Sequence, residues 1–382
     1  MSHRLSDEHE ALRKSVEEFA RDVVAPQAEH ADRTGEFPYD VIRQMGEMGL
    51  FGLPFPEEYS GMGGDFLALC LAIEELGRVD SSVAITLEAA VGLGSMPIYR
   101  FGTDEQKKEW LPALCRGEAL AAFGLTEPGG GSDAGNPRTR AVLDGEEWVI
   151  NGSKAFITNA GTDISNLVTV LCRTGDRADG KPELTSIMVP LPQPGFSASN
   201  KYDKVGWHAS DTRQLSFDNC RVPAANVLGD RGRGYAQFLS TLDEGRIAIS
   251  ALAVGLAQGC VDESVRYAKE REAFGAPIGS YQAVAFRIAD METRTYVARC
   301  AYRDACDRML AGEPFKREAA IAKLYSSTIA VDNARDATQV FGGYGFMNEY
   351  AVARHWRDAK ILEIGEGTSE IQRMLIARDL GL

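Results

Sequence analysis

Five segments of the 382-residue sequence combine residue types that could do chemistry at spacings that let them act together. In EIGEGTSEIQ, Glu363–Gln372, Glu366 stands between Gly365 and Gly367. It sits just ahead of a helix start that Ser369 and Gln372 mark as a capping box. Glycine on both sides leaves a mobile, unhindered carboxylate, which suits a general base; an acid there would equally complement a helix dipole. In FGLTEPGGGSD, Phe123–Asp133, the glycines Gly129, Gly130 and Gly131 let the backbone approach a ligand, beside the hydroxyls of Thr126 and Ser132. This matches neither GxGxxG nor GxxxxGK[ST], and on spacing alone such a stretch is a turn. In NGSKAFITN, Asn151–Asn159, Phe156 and Thr158 are two apart and share a strand face. A flat aromatic cofactor could rest on Phe156 while Thr158 donates a hydrogen bond; a core Phe beside an exposed Thr is the plainer alternative. In REAFGAPIGSYQ, Arg271–Gln282, the Arg271 fork suits pyrophosphate, or is simply a solvated arginine after a helix. In QVFGGYGF, Gln339–Phe346, Gly342 and Gly343 permit close backbone approach, or merely cap a helix.

The elements that must position these segments follow from periodicity. The first third predicts helices. Asp7 and Glu10 form a capping-box pattern, Leu12, Val16, Phe19 and Val23 recur at helical spacing, and Pro26 is expected to end the run. A Pro- and Gly-rich loop, LPFPEEYSGMGGD, precedes a second helical stretch over Leu67–Leu76, and Thr103 with Gln106 signals another helix start. Near residue 121 the character changes to short apolar runs broken by turn signals. Asp144-Gly145 and Asn151-Gly152 both predict hairpins, and SIMVPLPQPGF and QLSFDNCRVP read as strands. From 235 the helical period returns, over about 236–270, 281–311 and 315–340. The expected architecture is α+β and multidomain: a helical domain over 1–120, a middle antiparallel β domain over 121–232 and a C-terminal four-helix bundle over 233–382. It lacks the βαβ alternation of a nicotinamide-binding domain.

Composition narrows the classes. Forty-one Lys and Arg against 55 Asp and Glu give a net charge of −14, which disfavours nucleic acid and anionic membranes as partners. Seven scattered cysteines with no CxxC point to free thiols and a reducing, cytoplasmic setting. Five histidines form no metal-ligand spacing, so no metal is expected. No apolar run looks long enough to span a bilayer, and Asp7, Glu8 and Glu10 argue against a signal or transit peptide.

Taken together and in order, LTEPGGGSD, NGSKAFITN, GWHASDTRQLSF…RVP, LDEGR…GLAQG, REAFGAPIG…Q, QVFGGYGF and RDAKILEIGEGTSEIQR resemble the successive signatures of the acyl-CoA dehydrogenases, most closely the short-chain and branched-chain members. The resemblance spans almost the whole chain. It implies FAD as cofactor and oxidation of the Cα–Cβ bond of an acyl-CoA, with Glu366 as base. It also implies electron transfer to an electron-transfer flavoprotein and assembly as a homotetramer. It places FAD contacts on Phe123, Leu125, Thr126, Gly131, Ser132, Phe156, Ile157 and Thr158, with Thr368 and Glu370 nearby. It assigns Arg271, Phe274, Gln282, Gln339, Gly342 and Gly343 to the FAD of a neighbouring subunit, and Ser132, Asp243, Arg246 and Gly367 to the acyl-CoA. Phe156 departs from the commoner Trp. Some members carry the base on the LDEGR helix immediately before the Arg; here that place is Gly245, and Glu244 is turned about 100° away. SSVAITLEAAVGLG, 81–94, resembles the acyl-pocket wall, where Glu88 is expected to repel a second carboxylate and disfavour dicarboxylic substrates. The competing readings are an oxidase on the same fold that uses O₂ and a silent paralogue, which would be expected to have lost the base.

Overall fold

The computed structural model describes residues 5–382. Helix α1, Asp7–Phe19, is capped one residue earlier than expected, by Ser6 and not Asp7: the Ser6 hydroxyl accepts the His9 N–H at 3.1 Å. Pro26 does not end the run. A π-helical turn, Ala20–Val24, takes up the misfit, and Pro26 falls just after it in the first turn of α2, Ala25–Thr34, so the helical run continues through the proline. After α3, Tyr39–Glu47, the Pro/Gly loop leads to α4, Phe66–Val79, capped by Asp65. Helix α5, Ser81–Glu88, passes through a second π turn, Ala89–Ser95, into α6, Met96–Phe101. Helix α7, Asp104–Cys115, shows both halves of the predicted capping box: Gln106 N–H to the Thr103 hydroxyl at 3.3 Å, Thr103 N–H to the Gln106 side-chain Oε1 at 3.0 Å.

Seven strands form the middle domain: β1 Leu120–Gly124, β2 Arg140–Asp144, β3 Glu147–Thr158, β4 Ser165–Asp176, β5 Pro182–Pro190, β6 Phe196–Ala198 and β7 Thr212–Pro223. Their order is β1-β4-β2-β3-β7-β6, with β5 on β4. The pairing is antiparallel except where β1 and the start of β2 run parallel to β4. Asp144-Gly145 makes the β2–β3 turn as predicted. Asn151-Gly152 does not turn; it lies inside β3, where a register shift against β7 falls. A Cβ on Gly152 would stand 2.6 Å from Thr139, so glycine serves close packing there and long-range pairing overrides the local hairpin preference.

The bundle comprises α8 Gly234–Glu270, α9 Gln282–Leu310, α10 Lys316–Phe341, α11 Ala351–Ala359 and α12 Ser369–Asp379. The first three match the predicted stretches within two residues. The small hairpin β8–β9, Glu272–Ala273 and Ala276–Pro277, joins α8 to α9. One hydrophobic core runs from the N-terminal helices through α8 into the bundle, and a second fills the sheet. Two stretches, Ser81–Phe101 and Gly234–Glu270, are long and apolar enough to cross a membrane, contrary to the expectation from composition; 94% and 83% of their most apolar windows are buried inside the protein. The Asp358 carboxylate of α11 accepts the Trp207 N–H and the Ser81 hydroxyl, both at 2.7 Å, and so ties all three domains together just before the Glu366 loop. All seven cysteines are free, and no metal-ligand cluster occurs among the described residues.

Candidate active site

Glu366 follows a 3₁₀ turn, Lys360–Glu363, and turns inward because the backbone goes left-handed twice, with φ +54° at Glu366 and +93° at Gly367. A glycine takes this conformation freely; a glutamate does so only when its surroundings hold it there. The carboxylate oxygen Oε2 is buried against the bare backbone of α8, so that a Cβ on Gly245 would lie 2.6 Å from it. Thus the glycine at the alternative base position is the floor on which Glu366 rests. Glu244 faces Arg100 instead, at 3.0 Å. Gly245→Ala is expected to displace the carboxylate and slow flavin reduction by acyl-CoA at least ~10-fold with flavin retained, since a misplacement of 1 Å costs on this scale or more; stopped-flow bleaching checks it.

Glu88 closes the other side. It is fully buried at the end of α5, within hydrogen-bonding reach of Glu366, and neither of its oxygens has another partner. Two ionised carboxylates cannot hydrogen-bond each other, so the pair retains a proton. Burial and then Glu366 push the Glu88 carboxyl far above the usual range. Burial pushes Glu366 up to about 7, against the opposing pull of the Glu88 hydrogen bond, Lys323 and Arg246. Burial beside Glu366 thus favours the protonated form of Glu88, which weakens the charge repulsion expected of it. Asp243 pairs with Arg246 and, at 2.8 Å, with Lys316; Arg246 is buried with its Nε unpartnered.

The helix cap differs from the predicted box. Thr368, not Ser369, is the N-cap, and Gln372 reaches back to the Gly367 carbonyl at 2.9 Å. Glu370 is exposed in the first turn.

The Gly-rich loop is pinned from below by two residues that sequence reasoning passed over. The buried Glu127 carboxylate accepts the Arg138 and Thr139 N–H groups, at 2.7 and 3.0 Å, and the Lys154 ammonium at 2.9 Å. Lys154 also donates to the Leu125 carbonyl at 3.1 Å, and Ala155 N–H to that of Thr126 at 2.8 Å. The signal was present in the alternation: Lys154 is two before Phe156, but the bulge between Lys154 and Ile157 puts Phe156 at φ +61° and reverses its side. Phe156 is consequently 66% exposed, its ring 5.4 Å from that of Tyr202, whereas Ile157 lies in the sheet core and offers only backbone. Thr158 is half-buried, Phe123 packs on Phe238 at 4.1 Å, and Gly131 and Ser132 are exposed on the loop.

The other predicted group gathers at one end of the bundle. Arg271, Gly342 and Gly343 line a cavity of about 560 Å³ with Tyr267, Phe341 and Tyr344, and Arg271 lies 5.6 Å from the Tyr344 ring centre. A Cβ on either glycine would meet nothing within 4 Å. Phe274 is 98% exposed on the α8–α9 hairpin, Gln282 is exposed at the start of α9 and Gln339 near the end of α10. The structure therefore separates the predicted residues into a sheet-side set, a carboxylate centre and a bundle-end set.

Three family models match the chain in succession: the acyl-CoA dehydrogenase N-terminal domain over residues 6–118, the middle domain over 122–220 and the C-terminal domain over 232–381. A protein named probable acyl-CoA dehydrogenase from Bacillus subtilis is 49% identical over 380 residues, covering 100% of both chains. The structure of butyryl-CoA dehydrogenase from Megasphaera elsdenii superposes with a TM-score of 0.96 at 39% identity, covering 100% of each chain. A chain solved in work on the electron transferring flavoprotein of Acidaminococcus fermentans superposes equally well, at TM-score 0.96 and 40% identity, covering 100% of this chain and 99% of that one. With all three domains matched in order, and the fold and carboxylate centre in place, the chain belongs to the acyl-CoA dehydrogenase family, FAD-dependent oxidoreductases of acyl-CoA thioesters.

Proposed function

We propose that Glu366 is the base that removes the α-proton of a short straight- or branched-chain acyl-CoA, with electrons passed on to an electron-transfer flavoprotein. The observation that carries this is the buried Glu366 carboxyl seated on Gly245, with its proton affinity raised toward neutrality. A carboxylate at the ordinary value is too weak for an acyl-CoA α-proton; desolvation raises its basicity, and a substrate that expels water raises it further. The backbone N–H of Glu366 is assigned to the thioester oxygen, and one such fixed donor is worth about 3–4 kcal/mol toward the enolate. Asp243, Arg246, Ser132 and Gly367 are assigned to the acyl-CoA.

The residues present fit a bound FAD. Phe156, exposed and left-handed, offers an aromatic face beside the Thr158 hydroxyl, and the pinned Leu125–Ser132 loop offers backbone N–H groups. Thr368, the cap of α12, and the exposed Glu370 after it are assigned to the surroundings of the cofactor. When bound, FAD supplies the acceptor for the β-hydrogen as hydride. Arg271, Phe274, Gln282, Gln339, Gly342 and Gly343 fit the diphosphate and adenine end of a second copy's cofactor: a guanidinium fork, open glycines and an exposed aromatic. That arrangement supports a homotetramer in which subunits share cofactors. Free thiols throughout support a cytoplasmic setting.

The short-chain assignment rests on the likeness to the butyryl-CoA enzyme, and the flavoprotein partner on that to the chain solved in the electron transferring flavoprotein work. The test is anaerobic addition of C4 to C16 acyl-CoAs, with isobutyryl-, 2-methylbutyryl- and isovaleryl-CoA, while flavin absorbance is followed. Fastest bleaching with a C4–C5 acyl chain is expected. A C12–C16 optimum overturns the substrate class, and rapid peroxide formation in air without an added acceptor overturns the electron route in favour of an oxidase.

A further inference from the structure

A second charged residue belongs to the Glu366 loop, and no part of the sequence marks it. Lys323, about two turns into α10, is 1% exposed. A lysine buried to this degree needs a partner. Among the described residues no carboxylate comes within ion-pairing distance of it. Its ammonium donates instead to the carbonyl of Gly367, at 2.7 Å. The same carbonyl receives Gln372 Nε2 at 2.9 Å, and Gln372 is itself fully buried. Two buried donors thus converge on the residue next to the base, at the point where the backbone is left-handed on consecutive residues. A glutamate keeps such a conformation only where its neighbours over-determine it.

We propose that Lys323 and Gln372 clamp the Gly367 carbonyl and are the positioning residues that hold Glu366 in its left-handed, inward-facing conformation, with the Lys323 charge tuning the carboxylate above it. This rests on Glu366 being the base. The groups facing Glu366 are Glu88 from α5, Arg246 from α8 and Lys323 from α10. Those acting on Lys323 are Glu366, Arg246, Glu363 and Glu370. Burial lowers the Lys323 ammonium to about 8, so it is charged at neutral pH. As a cation it favours ionised Glu366; removing it raises the proton affinity of the base, and the ionised form then appears at higher pH.

The two clamp residues separate the two roles. Lys323→Met removes a hydrogen bond and a charge; Gln372→Leu removes no charge, only the hydrogen bonds to the carbonyls of Gly367 and, at 3.4 Å, Glu366. In holoenzyme reduced anaerobically by butyryl-CoA, both variants are expected to bleach at least ~10-fold more slowly with flavin content unchanged. In Lys323→Met alone the pH midpoint of the bleaching rate should move up by about one unit. Lys323→Arg, which keeps charge and donor, should restore the midpoint. Wild-type rate and midpoint in Lys323→Met overturn the proposal. So does an equal loss in Lys323→Met and Gln372→Leu with neither midpoint moved, which leaves a structural part only. If Lys323→Met does not fold, Gln372→Leu decides: a wild-type rate there overturns the clamp. Glu366→Gln is the control; wild-type bleaching in that variant removes the base itself, a separate failure from that of the clamp.

Discussion

Glu366→Gln is expected to slow anaerobic flavin bleaching by acyl-CoA by about 10²–10⁴-fold, the usual contribution of a positioned general base, while the purified protein stays yellow. The amide is nearly isosteric and can still lie against Gly245 and beside Glu88, so the loop and the cofactor site should survive. What is lost is the lone pair that accepts the α-proton. Glu244→Gln should retain most activity, because Glu244 is engaged by Arg100 at 3.0 Å and not by the Glu366 centre. The wild-type profile carries a sign that can be checked at once. Burial raises the Glu366 carboxyl to about 7, so the active, ionised form is lost as pH falls through that value and the rate rises across it. A rate flat from pH 5 to 9, or inactivity of Glu244→Gln with activity of Glu366→Gln, would reverse the assignment of the base.

The sequence carried the fold nearly to its boundaries because the long elements obey one rule each. Helices α8, α9 and α10 show an unbroken helical period with almost no proline, and nothing competes with it. The errors fall where tertiary contact overrules a local signal. Pro26 was expected to stop a helix, yet a π turn absorbs it. Asn151-Gly152 carries the strongest hairpin dipeptide, yet β7 and Thr139 hold it inside a strand. The site divides in the same way. Glu366 was legible because glycines on both sides single it out, and Gly245 because the absence of a glutamate there is informative. Glu127, Lys154 and Lys323 were not. Each is an ordinary charged residue on an ordinary element, and its weight comes only from burial that brings together positions far apart in the chain. Glu88 was legible as a pocket residue but misjudged in charge, since its protonation depends on Glu366 lying opposite. Charge at an enclosed site is a property of the assembled fold, not of the residue type.

Lys154→Met provides the sharpest case of such hidden weight. Lys154 is 0% exposed and bridges the Glu127 carboxylate and the Leu125 carbonyl, so it ties the Gly-rich loop to the strand that presents Phe156. Burial alone would raise the Glu127 carboxyl; Lys154 and the N–H groups of Thr139 and Arg138 hold it below its usual value instead. Methionine fills the space but leaves a buried carboxylate facing two backbone N–H groups with no cation. Breaking a buried pair in this way typically costs about 3–5 kcal/mol, much more than the pair itself contributes against an apolar replacement. Stability and cofactor binding should then separate. Lys154→Met is expected to lower the melting temperature of the apoprotein and weaken FAD binding at least ~10-fold. Lys154→Met with Glu127→Leu removes both charges and should recover most of the melting temperature. It should not recover FAD affinity, because neither change restores the ties that fix Leu125, Thr126 and the glycines after them. Equal recovery of both quantities in the double variant would reduce the pair to a stability element. FAD affinity at the wild-type level in Lys154→Met would show that the loop keeps its place through the Ala155–Thr126 backbone hydrogen bond alone, and the cofactor site would then owe nothing to the buried charge beneath it.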